Sequence, residues 1–284
     1  MSFIETRSRA FLPDRSPGWA GYLDLRDRDL RSEGLFVAEG RLLVSRAIAS
    51  RWHVEAIFAA QSCVAEAESF AAQSASAIPV TALGDDELSS IAGFDFHRGM
   101  LAVVRRPSIL PAREDFAGAN LVGANLSRDK TSYVDSGILV LPAITDPGNL
   151  GTLLRSALAF GFNTVWLGGE CCDPFNRKAL RASMGAALSL RLRHATPDDL
   201  VSLSASGMAS YAAEIRDGAI VAGAGSAAFP CALTLGNEHD GIPEPWRRGC
   251  AESIMVAVSG GVDSLNVAIA GSLLMWELSR RAPR

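Results

Sequence analysis

Three short segments of the chain carry residue types that can bind and orient a polar ligand. They are DPGNLGTLLR (residues 146–155), LGNEHDGIP (235–243) and VSGGVDSLNVA (258–268). Ligands collect beyond the carboxyl ends of the strands in open α/β sheets, so polar loops that follow apolar runs are candidates for a binding site. Each segment also has an ordinary structural explanation, because glycine and asparagine suit sharp turns and serine caps helices. The three segments therefore indicate a binding site only when they are considered together.

The elements around these segments belong to a predicted parallel sheet. ILVLPAI (138–144) is a continuous apolar run, typical of a strand buried on both faces. A helix with an apolar face follows from residue 150, and TVWLGG (164–169) returns as a strand, which completes a βαβ unit. CALTLGNE (231–238) and SIMVAV (253–258) are two further predicted strands. We expect the last helix, residues 265–281, to begin at a Ser264 cap.

The chain as a whole predicts two α/β domains. Its 284 residues suit two modest domains better than one. Residues 21–107 alternate short predicted strands and helices and form a small mixed domain, preceded by an extension over residues 1–20. Residues 108–136 show no clear period and are interpreted as a linker, and residues 137–284 form the second domain.

Composition narrows the class of protein. The net charge of −4 argues against a protein that coats nucleic acid nonspecifically. No apolar run approaches the roughly 20 residues that cross a bilayer, and the opening residues lack the apolar stretch of a signal peptide, so we expect a cytoplasmic protein without a membrane segment. The five cysteines form no CxxC pair and have no nearby partners with metal-ligand spacing. We therefore expect no metal site.

Taken together and in this order, the three segments resemble the signature motifs of the SpoU/TrmH family of SPOUT RNA methyltransferases. The matching residues of the first two motifs are Asp146, Pro147, Gly148, Asn149, Gly151 and Arg155, then Gly236, Glu238 and Gly241. The third motif is matched by Ser264, Leu265, Asn266 and Val267, and KALRASMGAALSL (178–190) resembles the stretch between the first two motifs. Residues 256–258 lack the proline that is common before the third motif. FVAEGRLLVSRAI (36–48) and RGMLAVV (98–104) resemble the substrate-binding domain that is often fused to this catalytic unit.

This resemblance implies a fold, an activity and partners. The catalytic domain would be a parallel sheet whose C-terminal chain forms a deep trefoil knot, and the N-terminal domain would be similar to a small ribosomal-protein fold that binds RNA. The activity would be transfer of a methyl group from S-adenosylmethionine to a ribose 2′-hydroxyl of structured RNA, ribosomal or transfer RNA. The protein would act as a homodimer without a metal.

The resemblance also assigns roles to residues of this chain. The cofactor-binding residues would be Leu235, Gly236, Asn237, Val256, Val258, Ser264 and Leu265, and the catalytic residues would be Asn149, Arg155, Glu238, Ser264 and Asn266. Arginine is a poor base, so we expect Arg155 to bind a phosphate and to stabilise negative charge on the reacting oxygen. RNA contacts are predicted for Arg41, Arg177, Lys178 and Arg181. A solvated helix face is an equal explanation of the last three.

Two other functions are compatible with the residues. Residues 259–264 spell SGGVDS, which matches the SGGxDS phosphate loop of ATP pyrophosphatases and lies between a predicted strand and a predicted helix. Such a loop normally opens its nucleotide-binding domain, whereas here only about 20 residues follow it. The second alternative is a noncatalytic RNA-binding factor that keeps the methyltransferase fold.

Overall fold

The computed structural model describes residues 25–50, 52–115, 136–224, 227–237, 240–259 and 264–280. The first half of the chain contains α1 (Asp27–Ser32), β1 (Leu35–Glu39), α2 (Arg41–Ala49), β2 (Val54–Ala60), α3 (Val64–Ala71), β3 (Val80–Leu83), α4 (Asp85–Ala92), β4 (Met100–Arg105) and β5 (Leu110–Pro111). The second half contains β6 (Ile138–Leu141), α5 (Pro147–Ala159), β7 (Thr164–Leu167), α6 (Arg177–Ala182), β8 (Arg191–His194), α7 (Pro197–Ala205), β9 (Ala209–Ala213), β10 (Ile220–Val221), β11 (Cys231–Leu235), α8 (Glu244–Arg247), β12 (Glu252–Met255) and α9 (Val267–Ser279). The strands and helices that the sequence predicts in residues 36–107, 138–169 and 231–281 all form, with shifted ends.

The chain folds into two compact units. The first unit comprises Met1–Pro107 and Phe175–Leu188, and the second comprises Ser108–Pro174 and Ser189–Arg284. The prediction that residues 137–284 form one continuous domain is therefore wrong for residues 175–188. These residues pack with the first unit because Phe175 stacks on Phe36 with ring centroids 5.0 Å apart, and because α6 provides arginines for Glu39.

The first unit is built on a four-stranded mixed sheet in the order β1-β4-β2-β3. β4 is antiparallel to β1 and to β2, and β3 is parallel to β2. β1 is buried along its whole length, and β4 is buried from Met100 to Val104, as expected of strands that have both faces covered. The predicted extension, residues 1–20, lies outside the described residues.

The second unit is built on an eight-stranded sheet in the order β10-β12-β9-β11-β6-β7-β8-β5. Every pair of neighbouring strands in this sheet is parallel. The strands β6, β7 and β11 are buried at every residue. The predicted α/β class and the predicted parallel sheet are therefore confirmed.

Part of the predicted linker is ordered in this sheet. Leu110 and Pro111 form β5, which pairs with β8, and Ala112–Asp115 form a 3-10 turn. Arg193 holds the turn through two hydrogen bonds to Asp115, Nε to Oδ2 at 2.6 Å and Nη2 to Oδ1 at 2.8 Å. The prediction of a linker is therefore wrong for residues 110–115, because contacts with β8 order a segment that has no periodicity of its own. Residues 116–135 of the predicted linker lie outside the described residues.

The start of the last helix also differs from the prediction. α9 begins at Val267, and its N-cap is Asn266, whose side-chain oxygen accepts hydrogen bonds from the backbone amides of Ala268 and Ile269. Ser264 lies two residues too early to reach these amides, so the predicted Ser264 cap is wrong. Within the described ranges, no helix is long and apolar enough to span a membrane.

Candidate functional site

A cavity of about 400 Å³ lies in the second unit at the carboxyl ends of β9, β11 and β12. All seven residues predicted to bind a cofactor line this cavity: Leu235, Gly236, Asn237, Val256, Val258, Ser264 and Leu265. They come from three separate chain segments, and the parallel sheet brings these segments to one edge because their strands run in the same direction. The size falls within the range usual for small-molecule sites, roughly 300–1,000 Å³.

The loop after β11 forms one wall of the cavity and depends on a glycine. A Cβ atom on Gly236 would lie 2.0 Å from the carbonyl carbon of Gly241, so only glycine fits there. The backbones of Asn237 and Gly241 exchange two hydrogen bonds of 3.2 Å, and Gly241 adopts a positive φ of 67°. The Asn237 side-chain oxygen also accepts a hydrogen bond from the Asp240 amide at 2.6 Å. This tight loop places Gly236, Asn237, Asp240 and Gly241 at the wall of the cavity.

The opposite wall is apolar and comes from α9. A Cβ atom on Gly271 would lie 2.5 Å from Cδ1 of Leu235 and 2.7 Å from Cδ2 of Leu153, so the helix packs closely on both β11 and α5. Val267 and Leu274 of the same helix line the cavity beside Ile254 of β12. The cavity thus combines an apolar wall with a polar loop, which suits a ligand with an aromatic ring and hydroxyl groups.

A hydrogen bond joins the first predicted motif to the third. Asp146 caps α5 by accepting a hydrogen bond from the Asn149 amide at 2.8 Å. The side-chain oxygen of Asn149 in turn accepts a hydrogen bond from Nδ2 of Asn266 at 3.1 Å. Because Asn266 caps α9, this one residue positions the start of the last helix and connects it to the first turn of α5.

The other predicted catalytic residues are placed differently. Ser264 is exposed and lines the cavity. Arg155 lies on the exposed side of α5 and has no hydrogen-bond or ion-pair partner among the described residues. Its neighbour Ser156 forms a hydrogen bond of 2.7 Å with Ser272 of α9, so the two helices are joined next to Arg155. Glu238 lies outside the described residues.

The residues predicted to contact RNA all lie in the first unit. Arg41 is exposed and pairs with Glu66 at 2.6 Å, and Lys178 is exposed on α6. Arg181 is partly buried and donates from Nη1 to Oε2 of Glu39 at 2.7 Å. For these three residues the RNA contact stays a prediction.

The basic cluster of Arg177, Lys178 and Arg181 was predicted either to contact RNA or to form a solvated helix face. Arg177 does neither. Its side chain is only 10% exposed, and its guanidinium lies 3.3 Å from Asp27 and 3.3 Å from Glu39. It also donates to the carbonyl oxygens of Ala92 and Leu25. The guanidinium is thus surrounded by acceptors of the first unit, so its observed role is to hold residues 175–188 in that unit.

Sequence reasoning missed Glu214, a charged residue of the cavity that lies outside the three predicted segments. Glu214 directly follows β9, lines the cavity and is held by Arg247 and Ser253. Burial alone would raise its pKa, but hydrogen bonds from Ser253 and Arg247 and the charges of Arg247 and Arg216 lower the pKa below its ordinary value. The sequence around it, ASYAAEIRDG, contains a strand of only five residues without a conspicuous glycine motif, so no local signal identifies it.

Comparison with known proteins adds independent information. Residues 136–276 match the model of the SpoU rRNA Methylase family. An uncharacterized tRNA/rRNA methyltransferase of Mycobacterium bovis is 31% identical over 94% of this chain and 90% of its own length. The 23S rRNA (guanosine(2553)-2′-O)-methyltransferase of Bacillus subtilis is 34% identical over 50% of this chain and 57% of its own length. The crystal structure of an AdoMet-bound rRNA methyltransferase from Sinorhizobium meliloti is 22% identical and has the same fold, with a TM-score of 0.73 over 91% of this chain and 92% of that one.

Proposed function

The chain belongs to the SpoU rRNA methylase family, and we propose that it transfers a methyl group from S-adenosylmethionine to a ribose 2′-hydroxyl of structured RNA. The observation that carries this proposal is that the second and third segments line one cavity, while the Asn149–Asn266 hydrogen bond joins the first segment to the third. The 2′-O specificity is supported by the name of the Bacillus subtilis relative, and the cofactor by that of the Sinorhizobium meliloti structure.

The cavity fits such a cofactor in shape and in chemistry. The absence of a side chain at Gly236 lets the Gly241 backbone close the loop after β11, and Gly236, Asn237 and Gly241 line the cavity where a nucleoside would lie. The apolar side chains of Leu235, Ile254 and Leu274 offer a surface for an aromatic base. S-adenosylmethionine supplies a methyl group on a positively charged sulfur, which leaves as a neutral thioether when the C–S bond breaks and the O–C bond forms.

The residues of the chain then have positioning and electrostatic roles. Transfer requires in-line approach of the ribose oxygen, and holding both reactants in that geometry supplies much of the rate acceleration. Asn149 and Asn266 fix the edge of the cavity where the two motifs meet. The guanidinium of Arg155 binds the adjacent phosphate and stabilises negative charge on the oxygen as the hydroxyl proton leaves. Glu238 braces the loop after β11 in this proposal.

The C-terminal trefoil knot and the RNA-binding role of the N-terminal unit complete the proposal. Ser264, Leu265 and Val267 line the same cavity as Leu235, Gly236 and Asn237, so the C-terminal segment lies beside the loop after β11, as this proposal requires. Such knots are rare, so the knot is proposed from membership of the family and not from the periodicity of the sequence. In the N-terminal unit, Arg41, Lys178 and Arg181 are the residues that we propose to approach RNA phosphates.

A homodimer is also part of the proposal, and its contact face is the exposed side of α9. Ile269, Leu273 and Trp276 are 54%, 42% and 46% exposed, and their spacing places them on one side of the helix. An exposed apolar stripe of this kind marks an interaction surface. Trp276→Glu should convert the dimer into monomers in light scattering, while Val201→Glu on the exposed side of α7 should leave the mass unchanged. A wild-type monomer would refute the dimer.

The central test of the function is Arg155→Ala. We expect methyl transfer to RNA to fall by about 100-fold or more, since a preorganised charge on the reacting oxygen is lost. Binding of S-adenosylmethionine, measured by calorimetry, should stay within about twofold, because Arg155 does not line the cavity. Arg248→Ala, which removes an exposed arginine elsewhere in the same unit, is the matched control.

The outcomes of this test separate the competing functions. Unchanged transfer in Arg155→Ala would remove this residue from the mechanism. A wild-type protein that binds RNA without transferring a methyl group would favour the noncatalytic factor. Release of pyrophosphate from ATP on addition of RNA would favour the ATP pyrophosphatase. Ribose-methylation mapping of RNA from cells with and without the gene then identifies the substrate as ribosomal or transfer RNA.

A further inference from the structure

Two acidic side chains line the cavity within the described part of the chain, Glu214 and Asp240. They differ in setting. Asp240 is exposed at the tip of the loop after β11, and its carboxylate faces the Asn237 amide at 3.4 Å. Glu214 lies beyond the end of β9, and its side chain is 27% exposed. A carboxylate held at the wall of a cavity is a candidate acceptor for the ligand.

The carboxylate of Glu214 is fixed through one oxygen. Oε1 accepts hydrogen bonds from Nε of Arg247 at 2.7 Å and from Oγ of Ser253 at 2.6 Å, and Nη1 of Arg216 lies 3.7 Å away. Both hydrogen bonds that the described residues donate to this carboxylate end on Oε1. Oε2 is therefore held in place by its neighbours and keeps its capacity to accept hydrogen bonds.

The position of Glu214 in the sheet indicates which part of a ligand it meets. β9 is separated from β6 by β11, and neighbouring strands lie about 4.8 Å apart. The first turn of α5, which follows β6, carries Asn149 and its hydrogen bond to Asn266, where the first and third motifs meet. Glu214 thus lies about 10 Å across the sheet from that edge, on the β9 side of the cavity. At this position Glu214 would contact a part of the ligand that is remote from the reacting methyl group.

The chemistry of the carboxylate indicates which group of the ligand it would bind. Adjacent ribose hydroxyls donate hydrogen bonds, and an acidic residue near the end of a strand is a common acceptor for them in nucleotide-binding sheets. Arg247, Ser253 and Arg216 lower the pKa of Glu214 despite its partial burial, so the group is ionised at neutral pH. An ionised acceptor forms stronger hydrogen bonds than a neutral one.

We propose that Oε2 of Glu214 accepts hydrogen bonds from the ribose hydroxyls of the bound cofactor and makes the site selective for ribonucleosides over deoxyribonucleosides. This inference rests on the proposed function, since it assumes that the cavity holds an adenosine-containing cofactor. Arg247 and Ser253 are then positioning residues that aim the carboxylate.

The test compares two ligands in two proteins. The ligands are S-adenosylhomocysteine and its 2′-deoxy analogue, and the proteins are the full-length wild type and Glu214→Gln, with affinities measured by calorimetry. In the wild type we expect the deoxy analogue to bind about tenfold more weakly, because a hydrogen bond to a charged group is lost. In Glu214→Gln the two ligands should bind within about threefold of each other, since the charged acceptor is gone.

The controls keep the result specific to the ribose contact. Glu244→Gln makes the same change at an exposed carboxylate of α8 that pairs with Arg248, and it should preserve the wild-type ratio of affinities. Should Glu214→Gln fail to fold in a thermal melt, Glu214→Asp keeps the charge but shortens its reach, and it should reduce the ratio as well. A merely structural role would weaken both ligands equally and leave the ratio unchanged.

Each other outcome has a clear meaning. An unchanged ratio in Glu214→Gln overturns the inference and leaves the proposed function standing. A loss confined to S-adenosylmethionine, with S-adenosylhomocysteine unaffected, also overturns it, because the carboxylate would then act on the sulfonium charge. A wild-type protein that binds neither S-adenosylmethionine nor S-adenosylhomocysteine refutes the proposed function itself.

Discussion

The two units each contain a glutamate held by arginines, and the two glutamates differ in what surrounds them. In the first unit, Glu39 ends β1 and has a side chain that is 1% exposed, with Arg177 near Oε1 and Arg181 on Oε2. In the second unit, Glu214 follows β9 and is held through Oε1 alone. Both oxygens of Glu39 thus face arginines, whereas one oxygen of Glu214 is left for a ligand at the cavity.

This difference shows that residue types alone do not assign a role. A buried charge is tolerated when its partners compensate for lost hydration, and a residue in that setting serves the fold. A charge at the wall of a cavity retains access to a ligand and can serve binding. The predicted RNA contact at Arg177 illustrates the point, because a basic cluster in the sequence proved to contain a buried partner of Glu39.

The largest effect is expected at Glu39. Glu39→Gln leaves Arg177 and Arg181 without their shared carboxylate, so the free energy of unfolding of the first unit should fall by about 3–5 kcal/mol. Urea denaturation with hydrogen exchange in β1 and β4 measures this change. Glu66→Gln breaks the more exposed pair with Arg41 and should cost less than about 1 kcal/mol. Equal effects of the two variants would contradict the structural role of Glu39.

A smaller effect is expected from removing the arginine of the second unit. Arg247→Met deletes hydrogen bonds to Glu214, Ser253 and the Cys250 carbonyl, but water reaches the partly exposed carboxylate and replaces part of the loss. We expect the free energy of unfolding to fall by about 1–2 kcal/mol in urea denaturation. Arg248→Met, at the next position of the helix end, should change it by less than about 0.5 kcal/mol. If Arg247→Met lowered the free energy of unfolding as much as Glu39→Gln, Glu214 would be as important for the fold as Glu39, which contradicts the comparison.

The smallest effect is the pH dependence that Glu214 contributes. Its pKa in the folded protein lies below its ordinary value of 4.5, so the ionised form stabilises the fold above that value. The stabilisation is lost as the pH falls below 4.5 and through the folded pKa. The urea midpoint of the wild type should therefore fall more steeply in this acidic range than that of Glu214→Gln. If the urea midpoints of the two proteins changed with pH in parallel, the interactions of the Glu214 carboxylate with Arg247 and Ser253 would not stabilise the fold.

The sequence by itself was sufficient for features with a local signal. Continuous apolar runs identified the buried strands β6 and β11, because a strand covered on both faces needs no polar alternation. The glycine, asparagine and serine residues of three loops identified candidate turns, and two of these loops, at residues 235–243 and 258–268, line the cavity. The apolar runs were enough for the α/β class, whereas the seven cavity residues were identified through the resemblance of the motifs to the SpoU/TrmH family.

Only the tertiary structure decided features that depend on distant partners. Residues 175–188 join the first unit because Glu39 and Phe36, more than 130 positions earlier, bind Arg177 and Phe175. β5 exists because β8 offers an edge, and Asn266 caps α9 because its side chain reaches the first amides whereas that of Ser264 does not. Glu214 was identified as a cavity residue only from the structure, in which the sheet places the ends of β9, β11 and β12 around one cavity. Pairings between remote residues leave no periodicity in the sequence, and the folded chain alone brings them together.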